Sequence, residues 1–220
     1  MNEQQLVQEI SARVLRKLAE AGLKAHPNEI PVGVSVRHVH VSQEDLEILY
    51  GSGHQLTKRR DLKQPGEYAA EEVVALVGPK MRTLENVRIL GPCRDQTQVE
   101  LARTDAIVLG LNPPVRRSGD LAGSSPITLV GPKGVLTLPE GCIIANRHIH
   151  MGPKDAEHFG VKDNDTVSVE VSGAKGLVFH EVQVRVREGW LLDMHLDTDD
   201  ANAAGITCGA RAHIVRVEVN

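Results

Sequence analysis

The chain has 220 residues, of which 41% are hydrophobic and 25% charged, and its formal net charge is −4. These values are typical of a globular protein with one large domain or two small ones. The mild acidity gives no electrostatic basis for binding nucleic acid or an anionic membrane, and no run approaches the roughly 18 apolar residues of a membrane span. The three cysteines are widely spaced, which favours free thiols in a reducing compartment. We therefore expect a cytoplasmic protein without a secretory signal, a membrane segment or a nucleic-acid partner.

Residues 1–20 are predicted to form an amphipathic helix. Its apolar side chains recur every four residues, at Leu6, Ile10, Val14 and Leu18. Residues 21–31 contain two prolines and are predicted to be a polar linker. Such a helix either packs on the body of the protein or docks in a groove on a partner, and the pattern alone favours neither.

From Ile30 onward, short Val- and Ile-rich runs alternate with Gly, Pro and Asp turns. About ten such runs predict a mainly β protein built as antiparallel barrels or sandwiches. Two short helices are also predicted, in "SQEDLEILYGSG" from Ser42 and in "GPKDAEHFGVKD" from Gly152. Each of these segments begins with a capping-type residue and ends at a glycine.

One segment of the chain occurs twice. "RHVH" at residues 37–40 and "RHIH" at residues 147–150 align without a gap. The match continues in the same register into the predicted helices, where acidic residues pair with acidic residues and apolar with apolar. A repeated unit of strand, short link and helix predicts two related β modules that meet around a shared site.

Each copy carries two histidines separated by one residue, so that on a strand both side chains project from the same face. Two imidazoles spaced by about 6.5–7 Å can converge on one metal ion. The duplication strengthens this interpretation and indicates either two metal ions or one ion bound by both pairs. The four predicted ligands are His38, His40, His148 and His150.

A catalytic zinc ion has three protein ligands and one open position, so each pair needs a third ligand. His195, in "DMHLDTDDANAAG", is one candidate, because nearby carboxylates can hold its ring. Glu100, in the strand-like stretch "GPCRDQTQVELA", is the other. Arg94 in the same stretch is a candidate anion binder, since a guanidinium recognises phosphate through two parallel hydrogen bonds. "NPPVRRSG" supplies two more arginines, and no nucleophile motif is present, so direct transfer assisted by metals is the simplest chemistry.

Six segments together resemble the family of PduL-type phosphate propanoyltransferases, the phosphotransacylases of bacterial microcompartments. They are "VSVRHVHVS", "LTKRRDLKQPGEYA", "VRILGPCRDQTQVELARTDA", "PPVRRSGDLAGS", "ANRHIHM" and "DMHLDTDDANAAG". The resemblance runs from about Pro31 to the end of the sequence and implies a mainly β fold of two β-barrels capped by short α-helices. It implies that residues 32–37 and 147–220 form one barrel, and that residues 38–146 form the other.

The resemblance also implies an activity. Family members interconvert acyl-CoA (propanoyl-CoA or acetyl-CoA) and phosphate with acyl phosphate and CoA, using two divalent metal ions, typically zinc. One implied metal site consists of His148, His150 and His195, and the other of His38, His40 and Glu100. Arg94 is implied to bind phosphate and to act in catalysis. The implied CoA-binding residues are Ser35, Arg60, Arg88, Leu90 and Asn202.

The same resemblance identifies residues 1–20 as an encapsulation helix that binds shell or core proteins. It places the protein in the lumen of a microcompartment in the bacterial cytoplasm, and we expect a homo-oligomer. Two alternatives remain open: a zinc-dependent hydrolase or lyase that activates water, and a shell-recruited assembly protein with structural metals. Arg37 and Arg147 precede the two histidine pairs, and the sequence assigns them no role beyond bracing the barrels.

Overall fold

The computed structural model describes residues 28–218 of the chain. The predicted amphipathic helix over residues 1–20 lies outside these residues, as does most of the predicted linker over residues 21–31. The described part contains fourteen strands and four short helices, so the predicted mainly β fold is confirmed. Among its helices there is none whose length and hydropathy would let it cross a membrane.

In chain order, the strands are β1 (Ile30–Ser35), β2 (His38–His40), β3 (Lys58–Asp61), β4 (Tyr68–Val77), β5 (Thr83–Gly91), β6 (Gln98–Glu100), β7 (Val115–Arg116), β8 (Ser125–Val130), β9 (Val135–Ala145), β10 (His148–Met151), β11 (Thr166–Val171), β12 (Leu177–Val186), β13 (Asp193–Asp197) and β14 (Arg211–Glu218). The helices are α1 (Gln43–Tyr50), α2 (Arg103–Leu109), α3 (Pro153–Phe159) and α4 (Thr198–Ala204). Strand β1 therefore begins within the range predicted as linker.

The first barrel is closed by six strands in the order β1, β13, β10, β12, β11 and β14, with β14 pairing back to β1. Its interior is filled by branched aliphatic side chains and a few larger ones, such as Ile149, Met151 and Phe179. The alternation of buried and less buried residues along β1 follows the period of two expected for a strand with one face in the core.

The second barrel is closed by β4, β5, β2, β6, β9 and β8, because β8 pairs with both β9 and β4. Strand β3 extends this sheet beside β4, and β7 pairs with β9. Val39, Ile89 and Leu129 are among the fully buried residues of its core. The prediction of two barrels capped by short helices is thus confirmed.

The two barrels share one pattern of strand pairing. Strand β10 pairs antiparallel with β13 and parallel with β12, as β2 pairs antiparallel with β6 and parallel with β5. The remaining pairs correspond in the same way, including the parallel pairs β1–β13 and β9–β6. The similarity seen in one short sequence segment therefore extends to the topology of both halves.

The two copies of the repeat exchange their first strands. The alignment of the two histidine segments, continued backward, places β1 over residues 140–145, which form the end of β9. Strand β1 leads directly into β2 of the second barrel but pairs within the first barrel. Strand β9 leads directly into β10 of the first barrel but pairs within the second.

Each helix follows a strand that carries a predicted metal ligand. Helix α1 follows β2 and is capped by Ser42, whose side chain accepts a hydrogen bond from the backbone N–H of Asp45. Helix α3 follows β10 and ends at Gly160 in the left-handed conformation, with φ of 66°. Both predicted helices are therefore confirmed, whereas α2 after β6 and α4 after β13 were not predicted.

Polar contacts join the two barrels. The buried side chain of Gln64 donates to the carbonyl of Leu191 (2.9 Å) and accepts from its N–H (3.0 Å). Thr104 at the start of α2 donates to the carboxylate of Asp199 on α4 through its N–H and its hydroxyl, both at 2.7 Å. These contacts fix the relative position of the strands that carry the histidines.

Candidate active site

The register of the sheets brings each histidine pair to a third candidate ligand. His195 on β13 lies directly opposite His148 on β10 in the antiparallel pair. Glu100 on β6 lies directly opposite His38 on β2 in the same way. Directly opposed residues on neighbouring strands have their side chains on the same face. Each barrel thus assembles one triad, His148–His150–His195 in the first and His38–His40–Glu100 in the second.

Both triads have a geometry that suits a metal ion. Within each triad, one potential ligand atom of every residue lies within 4.8 Å of those of the other two. The imidazole centroids in the triad of the first barrel are 4.7–5.0 Å apart. In the second barrel, Nε2 of His38 lies 3.4 Å from the carboxylate of Glu100. Imidazole nitrogens with or without a carboxylate are ligands that zinc and similar divalent ions accept.

Backbone hydrogen bonds set the tautomer of the first histidine in each pair. Nδ1 of His38 lies 2.8 Å from the carbonyl oxygen of Val36, and Nδ1 of His148 lies 2.8 Å from that of Asn146. A carbonyl only accepts, so Nδ1 carries the proton and Nε2 presents a lone pair to the triad. A ligating histidine is normally oriented by such a bond.

The protonation states also favour metal binding. Burial lowers the pKa of His40 and of His150 to about 3, with further lowering from neighbouring histidines. Burial alone would raise the pKa of Glu100, but the imidazoles of His38 and His40 outweigh it and lower that pKa to about 2. At neutral pH the imidazoles of His40 and His150 are therefore neutral and the carboxylate of Glu100 is charged, as metal ligands must be.

Two buried nitrogen atoms of the first triad have no hydrogen-bond partner among residues 28–218. They are Nδ1 of His150 and Nε2 of His195. Leaving a buried polar atom unpaired is costly unless a ligand satisfies it. The residues present therefore fit a bound metal ion.

Asp193 supports the triad of the first barrel from beside His195. Its Oδ2 lies 3.1 Å from Nε2 of His195, a close approach without hydrogen-bond geometry, and its Oδ1 accepts a 2.6 Å hydrogen bond from Lys63 of the second barrel. Gly33 leaves room for this carboxylate, because a Cβ atom there would lie 2.8 Å from Oδ2. Sequence reasoning expected supporting carboxylates after His195 but missed Asp193, which precedes it by two residues and therefore shares its face of the strand.

Both triads line one cavity of about 1120 Å³ between the barrels. Arg94 lines it too, and its Nη1 donates to the hydroxyl of Ser118 at 3.3 Å. That hydroxyl in turn donates to the carboxylate of Glu100 at 3.1 Å. The buried amide of Gln98 donates to both Ser118 and Glu100. The network couples the predicted anion binder to a predicted metal ligand through two residues that were not among the predicted site residues.

The predicted CoA-binding residues divide into two groups. Four of them line the cavity: Ser35, Arg60, Arg88 and Leu90. Arg88 also donates to the carbonyls of Ala70 and Glu71, at 2.9 and 2.8 Å. Asn202 lies on α4 with an exposed side chain and is not among the residues that line this cavity. The role of all five in binding CoA stays a prediction.

The cavity wall includes three residues for which the sequence gave little signal, Arg117, Arg185 and Trp190. Trp190 is the only tryptophan in the chain, and its ring centroid is 4.2 Å from that of His150. Arg185 lies in "VQVRV", which predicts a strand but does not tell which of its faces points to the cavity. Arg117 lies in "NPPVRRSG", a segment whose arginines were not assigned to the predicted site.

The arginines that precede the histidine pairs act as braces. Nη1 of Arg37 donates to Asp105 on α2 at 2.8 Å. Arg147 makes two hydrogen bonds to Asp200 on α4, at 2.8 and 3.0 Å, and its guanidinium lies 5.1 Å from the ring centroid of Phe179. In each barrel the arginine ties the histidine strand to the helix that follows the third ligand.

Comparison with known proteins places this fold and site in one family. The family model described as phosphate propanoyltransferase matches residues 31–207. A phosphate propanoyltransferase of Thermotoga maritima is 56% identical over 194 residues, which cover 88% of this chain and 91% of that protein. Proteins of the same name from Lachnoclostridium phytofermentans and Salmonella typhimurium are 53% and 52% identical, covering 94% and 80% of this chain and 97% and 83% of their own lengths. The chain therefore belongs to the phosphate propanoyltransferase family and is an acyltransferase.

Proposed function

We propose that this enzyme interconverts acyl-CoA and phosphate with acyl phosphate and CoA by direct transfer, at a site that holds two divalent metal ions. The observation that carries the proposal is the opening of both triads onto the same cavity as Arg94. The family name supports the reaction, and the unpaired buried nitrogens of the first triad support the metal sites.

His148, His150 and His195 would hold one ion, and His38, His40 and Glu100 the other. We propose zinc, because it accepts imidazole and carboxylate ligands and also the soft sulfur of a thiolate. When bound, such ions polarise a thioester carbonyl and stabilise a thiolate leaving group.

The chain itself would position phosphate. The guanidinium of Arg94 suits two of the phosphate oxygens. Its hydrogen bond to Ser118 holds the guanidinium at a fixed position relative to Glu100. A phosphate oxygen so oriented attacks the thioester carbon, the C–S bond breaks, and CoA leaves as the thiolate. Run backward, the thiolate attacks the carbonyl carbon of the acyl phosphate.

Covalent catalysis by Cys93, which is partly buried, or by the buried Cys142 is disfavoured. Burial raises the pKa of Cys93, whose thiol donates to Gln43, and raises the pKa of Cys142 to about 12. Only a thiolate is a good nucleophile, so neither group is ready to attack a thioester at neutral pH. Cys208 is exposed and lines the cavity, and Cys208→Ser should retain activity if transfer is direct.

The proposal extends to the substrates and the location of the enzyme. Because the relatives are named for propanoyl transfer, we propose propanoyl-CoA as the main substrate and acetyl-CoA as a second one. CoA would lie along the wall formed by Ser35, Arg60, Arg88 and Leu90, with Asn202 at its outer end. We also propose that residues 1–20, predicted from the sequence to form an amphipathic helix, recruit a homo-oligomeric enzyme to shell or core proteins of a bacterial microcompartment in the cytoplasm.

A CoA-release assay tests the reaction. Purified protein with zinc is given propanoyl-CoA, with and without phosphate, and free CoA is followed with a thiol reagent. We expect release that requires phosphate and forms acyl phosphate in equal amount. Release without phosphate would contradict the proposal and would indicate a zinc-dependent hydrolase. Arg94→Ala should raise the KM for phosphate while the metal content stays unchanged.

A further inference from the structure

Arg185 is a buried cation without a direct salt bridge in the described part of the chain. It lies on β12 with 7% of its surface exposed and lines the cavity. Its Nε donates to Gln183 at 3.1 Å and its Nη2 to Asn146 at 2.9 Å, and both acceptors are neutral side-chain amides. No carboxylate among residues 28–218 lies within salt-bridge distance of its guanidinium. Burying an unpaired charge is expensive, so its retention calls for a reason.

Arg117 of the second barrel is exposed, and it too donates to a neutral amide. Its Nη1 donates to the amide oxygen of Asn164 at 2.7 Å, and that oxygen also accepts from Gln183 at 3.0 Å. Gln183 accepts in turn from Arg185. Neutral amides therefore connect the two guanidinium groups across the barrels without cancelling their charge.

Other arginines of the chain show the contrast. Arg37 and Arg147, which brace the barrels, each face a carboxylate at 2.8 Å. Arg37 and Arg147 thus each have a counterion, whereas Arg185 and Arg117 have no salt bridge among residues 28–218. Burial lowers the pKa of Arg185 to about 10, with a further contribution from Arg117, and the group still carries its charge at neutral pH.

The two barrels differ in the residue that lies beside the second histidine of each pair. Arg185 lies beside His150 in the parallel pair of β12 with β10. The register of β5 with β2 pairs His38 with Arg88 and Val39 with Ile89, and continued by one residue it brings Leu90 to the corresponding position beside His40. The same fold therefore accepts leucine at this position, and the arginine belongs to the cavity wall of one barrel only.

We propose that Arg185, together with Arg117, forms an anion subsite that binds the phosphate group transferred in the reaction, in addition to Arg94. This inference rests on the proposed function. A tetrahedral phosphate is small enough to reach a buried guanidinium beside His150, and it can accept hydrogen bonds from several guanidinium groups at once. A phosphate bound there would be the anionic partner that the described side chains do not provide to Arg185 and Arg117.

Binding of inorganic phosphate tests the subsite. Calorimetric titrations would compare the zinc-loaded full chain with Arg185→Leu, Arg185→Lys, Arg117→Gln and the matched control Arg82→Leu. Arg82 is exposed and lies outside the cavity wall, so its replacement removes one positive charge elsewhere. We expect the Kd for phosphate to rise about tenfold or more in Arg185→Leu, less in Arg185→Lys and Arg117→Gln, and not at all in the control.

Kinetic measurements distinguish binding of inorganic phosphate from binding of the phosphate groups of CoA. The KM for phosphate should rise in Arg185→Leu while the KM for propanoyl-CoA stays within about twofold of the wild-type value. A raised KM for propanoyl-CoA with unchanged phosphate binding would overturn the proposal and assign the arginine to the phosphates of CoA. Unchanged values for both would also overturn it.

Thermal unfolding separates this role from a structural one. Replacing a buried unpaired charge with leucine is expected to leave the Tm unchanged or higher, and to remove most of the Tm increase that phosphate gives the wild type. If Arg185→Leu does not fold, the phosphate affinities of Arg185→Lys and Arg117→Gln decide the matter. A wild type that binds phosphate through Arg185 but shows no phosphate-dependent acyl transfer would contradict the proposed function and leave the subsite standing.

Discussion

Glu100 and His195 occupy equivalent positions in the two barrels. Each lies directly opposite the first histidine of a His-x-His strand, on the antiparallel neighbour of that strand. One barrel thus presents three imidazoles and the other two imidazoles and a carboxylate. Two ions held in these sets would differ in net charge, which suits a reaction that separates a thiolate from an acyl phosphate.

Removal of the third ligand from one triad should empty the metal site of that triad only. Glu100→Ala is expected to lose about one equivalent of zinc per chain, because two histidines alone bind zinc weakly. His195→Ala should lose the other equivalent, and the double variant both. Metal content of dialysed protein measures this, with Glu85→Ala, an exposed residue on β5, as the control. Retention of both equivalents in the double variant would contradict the two-triad assignment.

Trp190 should report occupation of the first triad. Its ring centroid lies 4.2 Å from that of His150, and it is the only tryptophan of the chain. Addition of zinc to metal-free protein is expected to change its fluorescence, and His150→Ala should abolish the saturable change. His38→Ala serves as the control, since it alters only the second triad. Loss of the signal in both variants would show that Trp190 does not sense the first triad separately.

Gly33→Ala should weaken zinc binding although it replaces none of the proposed metal ligands. The added Cβ would lie 2.8 Å from Oδ2 of Asp193 and displace the carboxylate beside His195. Residues that orient a metal ligand typically contribute about 10–100-fold in affinity. Competition with a chelator should show a loss of this size, matched by Asp193→Asn. If both variants kept the wild-type affinity for zinc, Asp193 would have no role in metal binding.

Arg147 and Asp200 should contribute to stability as a pair. Removal of either partner, in Arg147→Met or Asp200→Asn, is expected to cost about 1–3 kcal/mol, because the bond is bidentate and partly buried. Urea unfolding of both single variants and the double variant gives the coupling energy. The contact of Arg37 with Asp105 has one hydrogen bond instead of two, so removal of Arg37 should cost less. Additive effects in the double variant would mean that the pair is not coupled.

Local patterns in the sequence predicted much of this fold. The His-x-His segments, the helices α1 and α3, and the mainly β character follow from alternation, capping residues and turn residues over short stretches. The six triad residues were named in advance, although the resemblance, not the spacing, assigned Glu100 and His195 to their partners. That assignment depends on which strands become neighbours, since Glu100 and its partner His38 lie far apart in the sequence and no local rule sets their register.

Other parts of the site depend on tertiary structure alone. Asp193 and Arg185 are charged residues in strands, which a sequence pattern places on the solvent face by default. Only the closure of the first barrel and its contact with Lys63 and Gln64 show that both side chains face the cavity or its wall. Helices α2 and α4 have seven residues each and lack the apolar spacing that predicts longer helices.

The exchange of first strands has a consequence for biosynthesis. Every strand of the second barrel has been synthesised once Ala145 is added, so this barrel can fold while the rest of the chain is still being translated. The first barrel cannot close until β14, since β1 must wait for a partner strand near the other end of the chain. During that interval β1 is an unpaired edge, the kind of surface on which nascent chains aggregate. The first barrel, which carries the His148 triad and part of the cavity wall, is therefore completed only after β14 has been synthesised.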